Sequence, residues 1–485
     1  MVYPAALLFK LITKSTDGLI LYLRSIYVAG AVLAAFCTGA LFRQIGTRLL
    51  GWLAAALVLV FIPYGLPAPS YNTISEQMAI VALTSFGCAV LASAEGRKYR
   101  AWLAISAVAW AFATVAYPSL IFVVGLLLAS LPTIVRPPFR EQLAYCGLVV
   151  GFQIVAWGCV IGILTWPRIM ESIDYQSSVS PMLNVGQKLS LIAGSLTQNV
   201  IFMVATATAV VLGLARQFLP QAFAAVALSA LFLLPLFAPP TLFVQSHDAI
   251  FIAALSGFGV LAWLRHDALC DRLLATLFAV SLAAGVVTAA TATYAFSFPI
   301  GGALAGIVAA LSEYFYPRRG EWWALPVVTL LGVILWGSAS LYYGERPGEM
   351  IEPRERVTNG PYAGLAASAH TARLLSTIRA MLDERTGADD TVAVVSRLSG
   401  LYLLTKARPR VFMPFPITAL AQPKALIAND LYYSAAANRP TIVIAYPDAY
   451  FEPVNPFGSN FEAWYKKVDQ ERTPTGTLLI FRRRD

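Results

Sequence analysis

Apolar runs long enough to cross a bilayer recur along the first 343 residues of this 485-residue chain, and they constrain its fold more than any other feature. A transmembrane helix needs about 17–25 mostly apolar residues. Such runs lie at 19–41, 49–66, 77–94, 142–165, 193–214, 220–238, 247–264, 273–292, 296–312 and 323–343. A further stretch, 101–131, is too long for one span and is interrupted at Tyr117-Pro118-Ser119, since proline ends or kinks a helix. Counted as two short spans, it brings the prediction to about twelve.

The composition excludes a single water-soluble core. Only 13% of the residues are charged and 58% are hydrophobic, whereas soluble domains carry about 25% charged residues. The five cysteines lack metal-type spacing and are interpreted as small buried hydrophobic residues. Walker loops, GxGxxG, HExxH, CxxC and EF-hand loops are all absent from the sequence, so nucleotide or metal chemistry of those kinds is not predicted.

The basic residues predict an orientation. Sorted alternately, one set of connecting segments holds twelve Lys or Arg, in FRQIGTR, EGRKYR, the loop with Arg136 and Arg140, Arg216, RHDALCDR and YPRRGE. The other set holds Lys10, Lys14, Arg168 and Lys188. Lys and Arg in short loops stay in the cytoplasm, so the basic set is expected there. This placement accounts for the net charge of +9 without a nucleic-acid partner.

The same orientation places both chain ends outside the cytoplasm. An even number of spans with an external C-terminus requires an external N-terminus. We therefore expect one further span before Met1, and residues 1–18, including VYPAALLFKLI, to be the end of an external amphipathic loop on the membrane surface. The alternative is a short N-terminal tail that crosses the membrane unaided.

The composition changes after Tyr343. Residues 345–485 hold 18 of the 35 Lys and Arg and 15 of the 26 Asp and Glu, as a solvated surface requires. Helices are predicted at 362–385, at SGLYLLTK and at 424–437, and strands at 391–395, at RVFM, at 441–446 and, as an edge strand, at 475–483. The predicted organisation is a polytopic α-helical membrane domain over 19–343 and a small external α/β domain over 344–485.

Ionisable residues at the predicted outer rim are the candidate site, because such groups are costly in lipid. "APSYNTISEQMAIV" carries Tyr71, Asn72 and Glu76 where a span begins, with Ser75 as a helix cap. The alternative interpretation is an ordinary capped helix start. In the first span, Arg24 either reaches a phosphate or extends along the membrane to the interface.

Two further segments contribute candidates. The long loop "WPRIMESIDYQSSVSPMLNVGQKLS" contains Arg168, Asp174 and Lys188, whose basic members suit a lipid-linked phosphate; the alternative is simple interfacial anchoring. "FVQSHDAIF" places His247 and Asp248 at an external helix start, where the aspartate otherwise serves only the helix dipole.

The order of these features resembles bacterial integral-membrane glycosyltransferases of the GT-C superfamily. The resemblance covers most of the chain and rests on layout and on loosely matching phrases: "VYPAALLFKLI", "LYLRSIYV", "YPSLIFVVGLLLASLP", "VTNGPYAGL", "LLSTIRAML", "GADDTVAVV", "GLYLLTKARP" and "TGTLLIFRRR". It implies a multi-pass protein of the bacterial inner membrane. It also implies transfer of a hexose or pentose, usually with inversion, from a polyprenyl-phosphate carrier to a cell-envelope glycan or glycolipid.

In that family the first external loop carries an acidic residue or pair that serves as general base or binds a divalent metal. A carboxylate must deprotonate the acceptor hydroxyl, and basic groups must stabilise the departing phosphate. Here Asp17 is the only acid before the first span, and it does not stand at the family's position. The resemblance therefore places the catalytic acid before Met1, or predicts a truncated or inactive form. The alternatives are a transporter or flippase and a non-catalytic assembly partner.

Overall fold

A computed structural model describes residues 2–63, 67–134, 139–167, 169–170, 185–197, 199–238, 240–241, 244–259, 268–292, 298–312, 321–341, 354–395, 399–411, 423–445, 457, 460–473 and 476–484. The chain divides into two compact units. The helical unit comprises Met1–Leu7, Tyr22–Ile163 and Leu183–Ile351. The sheet unit comprises Leu8–Leu21, Leu164–Met182 and Glu352–Asp485.

The first part of the chain forms a series of apolar helices. In chain order they are α1 Val2–Thr13, α2 Leu19–Ile45, α3 Arg48–Val60, α4 Tyr71–Ala94, α5 Arg100–Ala116, α6 Leu120–Ile134, α7 Phe139–Leu164, α8 Val185–Thr197, α9 Val200–Ala215, α10 Gln221–Leu233, α11 Gln245–Ser256, α12 Leu269–Thr291, α13 Pro299–Ser312 and α14 Ala324–Leu341. By length and composition, α2, α4, α7 and α12 can cross a membrane, which makes this a multi-pass membrane protein. Most of the other apolar helices are shorter, and the count of twelve spans stays a prediction.

Helix boundaries confirm one predicted break and correct two predicted spans. The break at Tyr117 is confirmed, because α5 ends at Ala116 and α6 begins at Leu120. The single span predicted over 193–214 is wrong. Asn199 interrupts it, and its side chain accepts a hydrogen bond from the Phe202 N–H at 3.1 Å, capping α9. The span predicted over 49–66 ends early, since α3 stops at Val60 and the backbone is extended at the next residue.

Small residues let several helices of the helical unit pack closely. A Cβ added at Gly51 of α3 would lie 2.7 Å from the Gly39 carbonyl oxygen of α2, so the two backbones touch there. A Cβ added at Gly306 of α13 would lie 2.6 Å from the Ile250 carbonyl oxygen of α11. Helix α13 is buried along its whole length and is kinked at Gly301, whose φ of 98° suits glycine. The contact between Gly306 and Ile250 and the complete burial of α13 place α11 and α13 in the core of the helical unit.

Contacts between helix ends define what we call the basic end of the helical unit. The Arg97 guanidinium donates to Gln44 Oε1 at 3.0 Å, which joins the segment before α5 to the end of α2. Tyr99 Oη donates to Glu141 Oε1 at 2.5 Å, and Ser93 at the end of α4 also reaches that carboxylate. FRQIGTR and EGRKYR therefore lie at one end of the unit. That this end faces the cytoplasm stays a prediction.

The C-terminal part forms a mixed sheet between helices, which confirms an α/β fold for it. The strands are β1 Arg354–Arg356, β2 Ala366–Ser368, β3 Thr391–Val395, β4 Arg408–Pro409, β5 Ile442–Ala445, β6 Tyr465–Thr473 and β7 Gly476–Arg483; the helices are α15 Ala369–Arg385, α16 Pro423–Ser434 and α17 Phe461–Trp464. The main sheet has the order β4-β3-β5-β7-β6. Strands β4, β3 and β5 are parallel, whereas β7 is antiparallel to both of its neighbours.

Both faces of this sheet are covered by helices. Ile378 and Leu382 of α15 pack with Val392 and Val394 of β3 on one face. Tyr433 of α16 packs on the other face with a second buried cluster that includes Val395. Because β3 is buried on both faces, its sequence TVAVV is a continuous apolar run rather than an alternating one.

The structure corrects four predictions for the sheet unit. The helix predicted from residue 362 begins at Ala369, because Ala366–Ser368 instead pair with β1 and Ser368 caps the helix. The strand predicted at RVFM is wrong at residues 410 and 411, since the observed strand is Arg408–Pro409, and residues 412 and 413 lie outside the described residues. Strand β7 is not an edge strand, since it pairs with both β5 and β6. The strand at that edge is β6, which was not predicted, and β4 lies at the opposite edge.

Candidate functional site

The start of α4 is held by its own cap. The Thr73 N–H donates to Ser70 Oγ at 3.2 Å, and the Ser70 N–H donates to Thr73 Oγ1 at 2.8 Å, a reciprocal capping box. The prediction that Ser75 caps this helix is wrong, because Ser75 is already more than a turn inside it and its hydroxyl donates to the Asn72 carbonyl at 2.9 Å. This cap fixes where the first turns of α4 present their side chains.

Asn72 and Glu76 of α4 present buried oxygens on one helix face. They are four residues apart and therefore neighbours on that face. Glu76 is only 2% exposed. Its Oε2 and the Asn72 Oδ1 are both buried and accept no hydrogen bond from the residues that the structure describes. An unpaired buried carboxylate oxygen costs free energy, so this pair is suited to receive donors from a ligand.

Tyrosines connect this helix start to the end of α12. Tyr71 is 61% exposed, and its ring centroid lies 6.0 Å from that of Tyr117, at the break between α5 and α6. Tyr117 Oη donates to the Thr288 carbonyl oxygen at 3.1 Å. The hydroxyls of Ser119 and Thr291 are 3.0 Å apart and reinforce the junction. The first turn of α4 and the last turn of α12 thus lie at the end of the helical unit that is opposite to the basic end.

Lys188 of α8 is bound to the same end of α12. It is 6% exposed, and its ammonium donates a hydrogen bond to the Ala292 carbonyl oxygen. Ala292 is the C-cap residue of α12, where the helix dipole favours a cation. Burial lowers the pKa of the Lys188 ammonium. An ammonium has three donors, so a second hydrogen-bond acceptor, such as a phosphate oxygen, is chemically suited to it.

A second group of polar side chains lies at the start of α11. His247 is fully buried, and its ring centroid lies 5.6 Å from that of Phe61, just after α3. Asp248 is 2% exposed and accepts the Thr241 N–H at 2.8 Å, which ties the preceding loop to the helix. The hydroxyl of Ser246 is buried and has no hydrogen-bond partner among the described residues. Asp248 thus has a structural contact in addition to its place at the positive helix end.

Aromatic packing joins the start of α11 to the second half of α12. Phe251, one turn beyond His247, meets the Phe298 ring edge-on with centroids 5.0 Å apart. A Cβ added at Gly285 of α12 would lie 2.7 Å from the same Phe298 ring. The starts of α4 and α11 and the end of α12 therefore share one end of the helical unit, which we call the α4–α11 site.

The predicted site residues are distributed unequally. The α4–α11 site contains six of them: Tyr71, Asn72, Glu76, Lys188, His247 and Asp248. Arg24 is half-buried near the start of α2. Arg168 and Asp174 lie outside the described residues.

Sequence reasoning missed Tyr117 and Ser246 as members of the site. Tyr117 was interpreted only as part of a helix break, although a tyrosine before a proline is a polar group at a helix end. Nothing in the sequence around Ser246 indicates that its hydroxyl belongs to the site. Within the described residues, no group of three or more His, Cys, Asp or Glu side chains could hold a metal ion.

Comparisons with known proteins found similarity to solved structures, two of which are described here. No family model and no curated protein matches the sequence. An oligosaccharyltransferase, AglB, from Archaeoglobus fulgidus, solved with an inhibitory peptide and a dolichol-phosphate, is 13% identical with a TM-score of 0.40 over 88% of this chain and 58% of that one. An Archaeoglobus fulgidus oligosaccharyltransferase solved with zinc and sulfate is 13% identical with a TM-score of 0.42, over 94% of this chain and 61% of that one. The chain thus spans about three fifths of either structure, and similarity at this level establishes neither fold nor activity.

Proposed function

We propose that this protein is a membrane glycosyltransferase that moves a sugar from a polyprenyl-phosphate carrier to a cell-envelope glycan or glycolipid outside the cytoplasm. The observation that carries the proposal is the pair of buried oxygens on Asn72 and Glu76 that accept no hydrogen bond from the described part of the chain. The GT-C resemblance of the sequence supports it. So does the α/β unit, which offers a solvated surface for an acceptor.

The charges of the α4–α11 site suggest how a donor lies in it. A carboxylate repels a phosphate and accepts hydrogen bonds from hydroxyls, so Glu76 and Asn72 bind the sugar. Lys188 supplies positive charge for the phosphate and already occupies the carbonyl end of α12. In the reaction, the bond between sugar C1 and the phosphate oxygen breaks, and the acceptor oxygen bonds to C1 from the opposite side. The acceptor hydroxyl gives its proton to a general base, which the GT-C resemblance implies is an acidic residue, and the phosphate leaves with the electron pair of the broken bond.

A transporter or flippase is the second candidate. Buried ionisable side chains inside a helical membrane unit also occur in ion and proton pathways, and Glu76, His247 and Asp248 are such groups. Against it, the sequence shows no two similar halves of the kind built into many carriers. A third candidate, a non-catalytic assembly partner, predicts neither transfer nor transport.

One assay separates these three candidates. Full-length protein in liposomes would be given radiolabelled polyprenyl-phosphate hexoses and pentoses together with envelope glycan and glycolipid acceptors. The glycosyltransferase proposal predicts label in the acceptor, dependent on protein and saturable with donor. Uptake of labelled solute, or movement of the lipid-linked sugar between leaflets without transfer, would contradict it in favour of a carrier. If neither sugar transfer nor solute uptake is detected, the non-catalytic assembly partner is favoured.

A further inference from the structure

A cleft at the basic end of the helical unit is separate from the α4–α11 site. It lies among α2, α3 and the start of α5 and has a volume of about 530 Å³. Ligand pockets typically measure about 300–1,000 Å³. It is lined by three arginines, Arg43, Arg48 and Arg97, by three aromatic residues, Phe36, Trp52 and Trp102, and by small residues of α2 and α3.

The positive charge of this cleft is only partly compensated. Arg97 forms an ion pair with Glu95 at 2.6 Å and donates to Gln44. The side chains of Arg43 and Arg48 are exposed, and neither forms an ion pair or hydrogen bond with the residues that the structure describes. Arg48 is also the first residue of α3, where the helix dipole disfavours a cation. An anion between these two arginines would relieve both the repulsion and the unfavourable dipole interaction.

The cleft continues from these charges into an apolar groove. Its floor is the crossing of α2 and α3, where Gly39 and Gly51 bring the two backbones into contact. Trp52 is 75% exposed, and Trp102 of α5 stacks on Phe36 with centroids 6.3 Å apart. Tryptophan is enriched where lipid headgroups meet the hydrocarbon region. Phe36 and Gly39 lie within α2, which is long and apolar enough to cross the membrane.

We propose that this cleft binds one anionic phospholipid. Its phosphate lies between Arg43 and Arg48, with Arg97 at the rim, and one acyl chain runs along the groove at Gly39 and Gly51. Basic pockets between transmembrane helices are suited to such headgroups because every arginine near the surface adds attraction for anionic lipid. The occupant is a lipid rather than free phosphate, because the arginines lie at the mouth of an apolar groove that a phosphate would leave empty.

Native mass spectrometry of the full-length protein tests the assignment. Delipidated wild-type protein would be titrated with phosphatidylglycerol, with phosphatidylcholine as the neutral lipid. The test variant is Arg43→Gln/Arg48→Gln. The matched control is Lys98→Gln/Arg100→Gln, which removes two exposed charges at the same end but outside the cleft. We expect one tightly bound phosphatidylglycerol per wild-type chain, at least about tenfold weaker binding in the test variant, and binding within about twofold of wild type in the control.

Two results would overturn the proposal. Equal losses in both double variants would mean general attraction of anionic lipid to a basic surface. Displacement of the lipid by millimolar glycerol phosphate, with equal affinity for the headgroup alone, would mean a phosphate site without a lipid. Arg48→Gln alone provides a second variant if the double variant misfolds, since removing a cation from the first turn of α3 favours the helix. The outcome is independent of whether the protein transfers sugar.

Discussion

Glu76→Gln is expected to lower sugar transfer about 10- to 100-fold while leaving thermal stability equal to or above that of wild type. The loss follows because hydrogen bonds to a charged acceptor contribute about 1.5–3 kcal/mol, and the neutral amide gives up that charge. Stability is retained because burying a carboxylate with an unpaired oxygen is costly and the amide removes part of this cost. The measurements are donor-dependent transfer in liposomes and the apparent Tm of the same preparation.

The matched control for this prediction is Glu95→Gln, an exposed carboxylate at the basic end. It should leave transfer within about twofold of wild type, since surface ion pairs contribute little. A Glu76→Gln protein that loses stability and activity together would assign Glu76 a structural role instead. Full transfer activity in that variant would remove it from the site.

Gly306→Leu is expected to destabilise the helical unit by about 3 kcal/mol or more. A Cβ at this position would lie 2.6 Å from the Ile250 carbonyl oxygen, and that oxygen belongs to the backbone of α11, which cannot rotate away. Helices α11 and α13 would have to separate, and overpacking of this kind typically costs about 1–3 kcal/mol, occasionally more. The apparent Tm in detergent should fall by at least about 5 °C, as measured by the loss of monodisperse protein on heating.

Gly332→Leu in α14 is the control for this crossing. A Cβ added at Gly332 meets nothing within 4 Å, and leucine is a better helix former than glycine. Its Tm should therefore equal or exceed that of wild type. Equal Tm values for Gly306→Leu and wild type would show that α11 and α13 do not pack as described.

Much of the helical pattern could be predicted from the sequence, because a bilayer core demands long apolar segments whatever their contacts. Helix ends could not, since they depend on single side chains. Asn199 divides one predicted span, and Ser70 rather than Ser75 caps α4. Both residues are common in loops as well as at caps, so the residue type alone does not identify a cap.

The edge strand β6 was missed for a physical reason. Its sequence YKKVDQERT is strongly charged and lacks the apolar alternation of a half-buried strand. Charged edge strands discourage pairing with other chains, so the property that protects this edge also hides it from pattern analysis. Its neighbour β7 was placed at the edge in error, although its sequence GTLLIFRR contains the continuous apolar run LLIF rather than an alternating pattern.

The candidate site was partly accessible from the sequence. A carboxylate and an amide at the start of an apolar run are conspicuous, so Asn72 and Glu76 were predicted. Their relation to Tyr117 and to the end of α12 could not be, because these elements are far apart in the chain and meet only through helix packing. From the sequence, Arg43 and Arg48 predict only the orientation of the chain in the membrane. That they line one cleft depends on the α2–α3 crossing, which the sequence does not show.

Photocrosslinking tests the central claim most directly, namely that the α4–α11 site holds the lipid-linked sugar. A polyprenyl-phosphate sugar carrying a photoreactive group on the sugar would be irradiated with the full-length protein in liposomes, and the labelled peptides would be identified by mass spectrometry. We expect adducts in peptides that contain Tyr71–Glu76 or Ser246–Phe251, suppressed by excess unlabelled donor and weakened by Glu76→Gln. Adducts confined to the basic end or to the sheet unit, or adducts that excess donor does not suppress, would contradict the account.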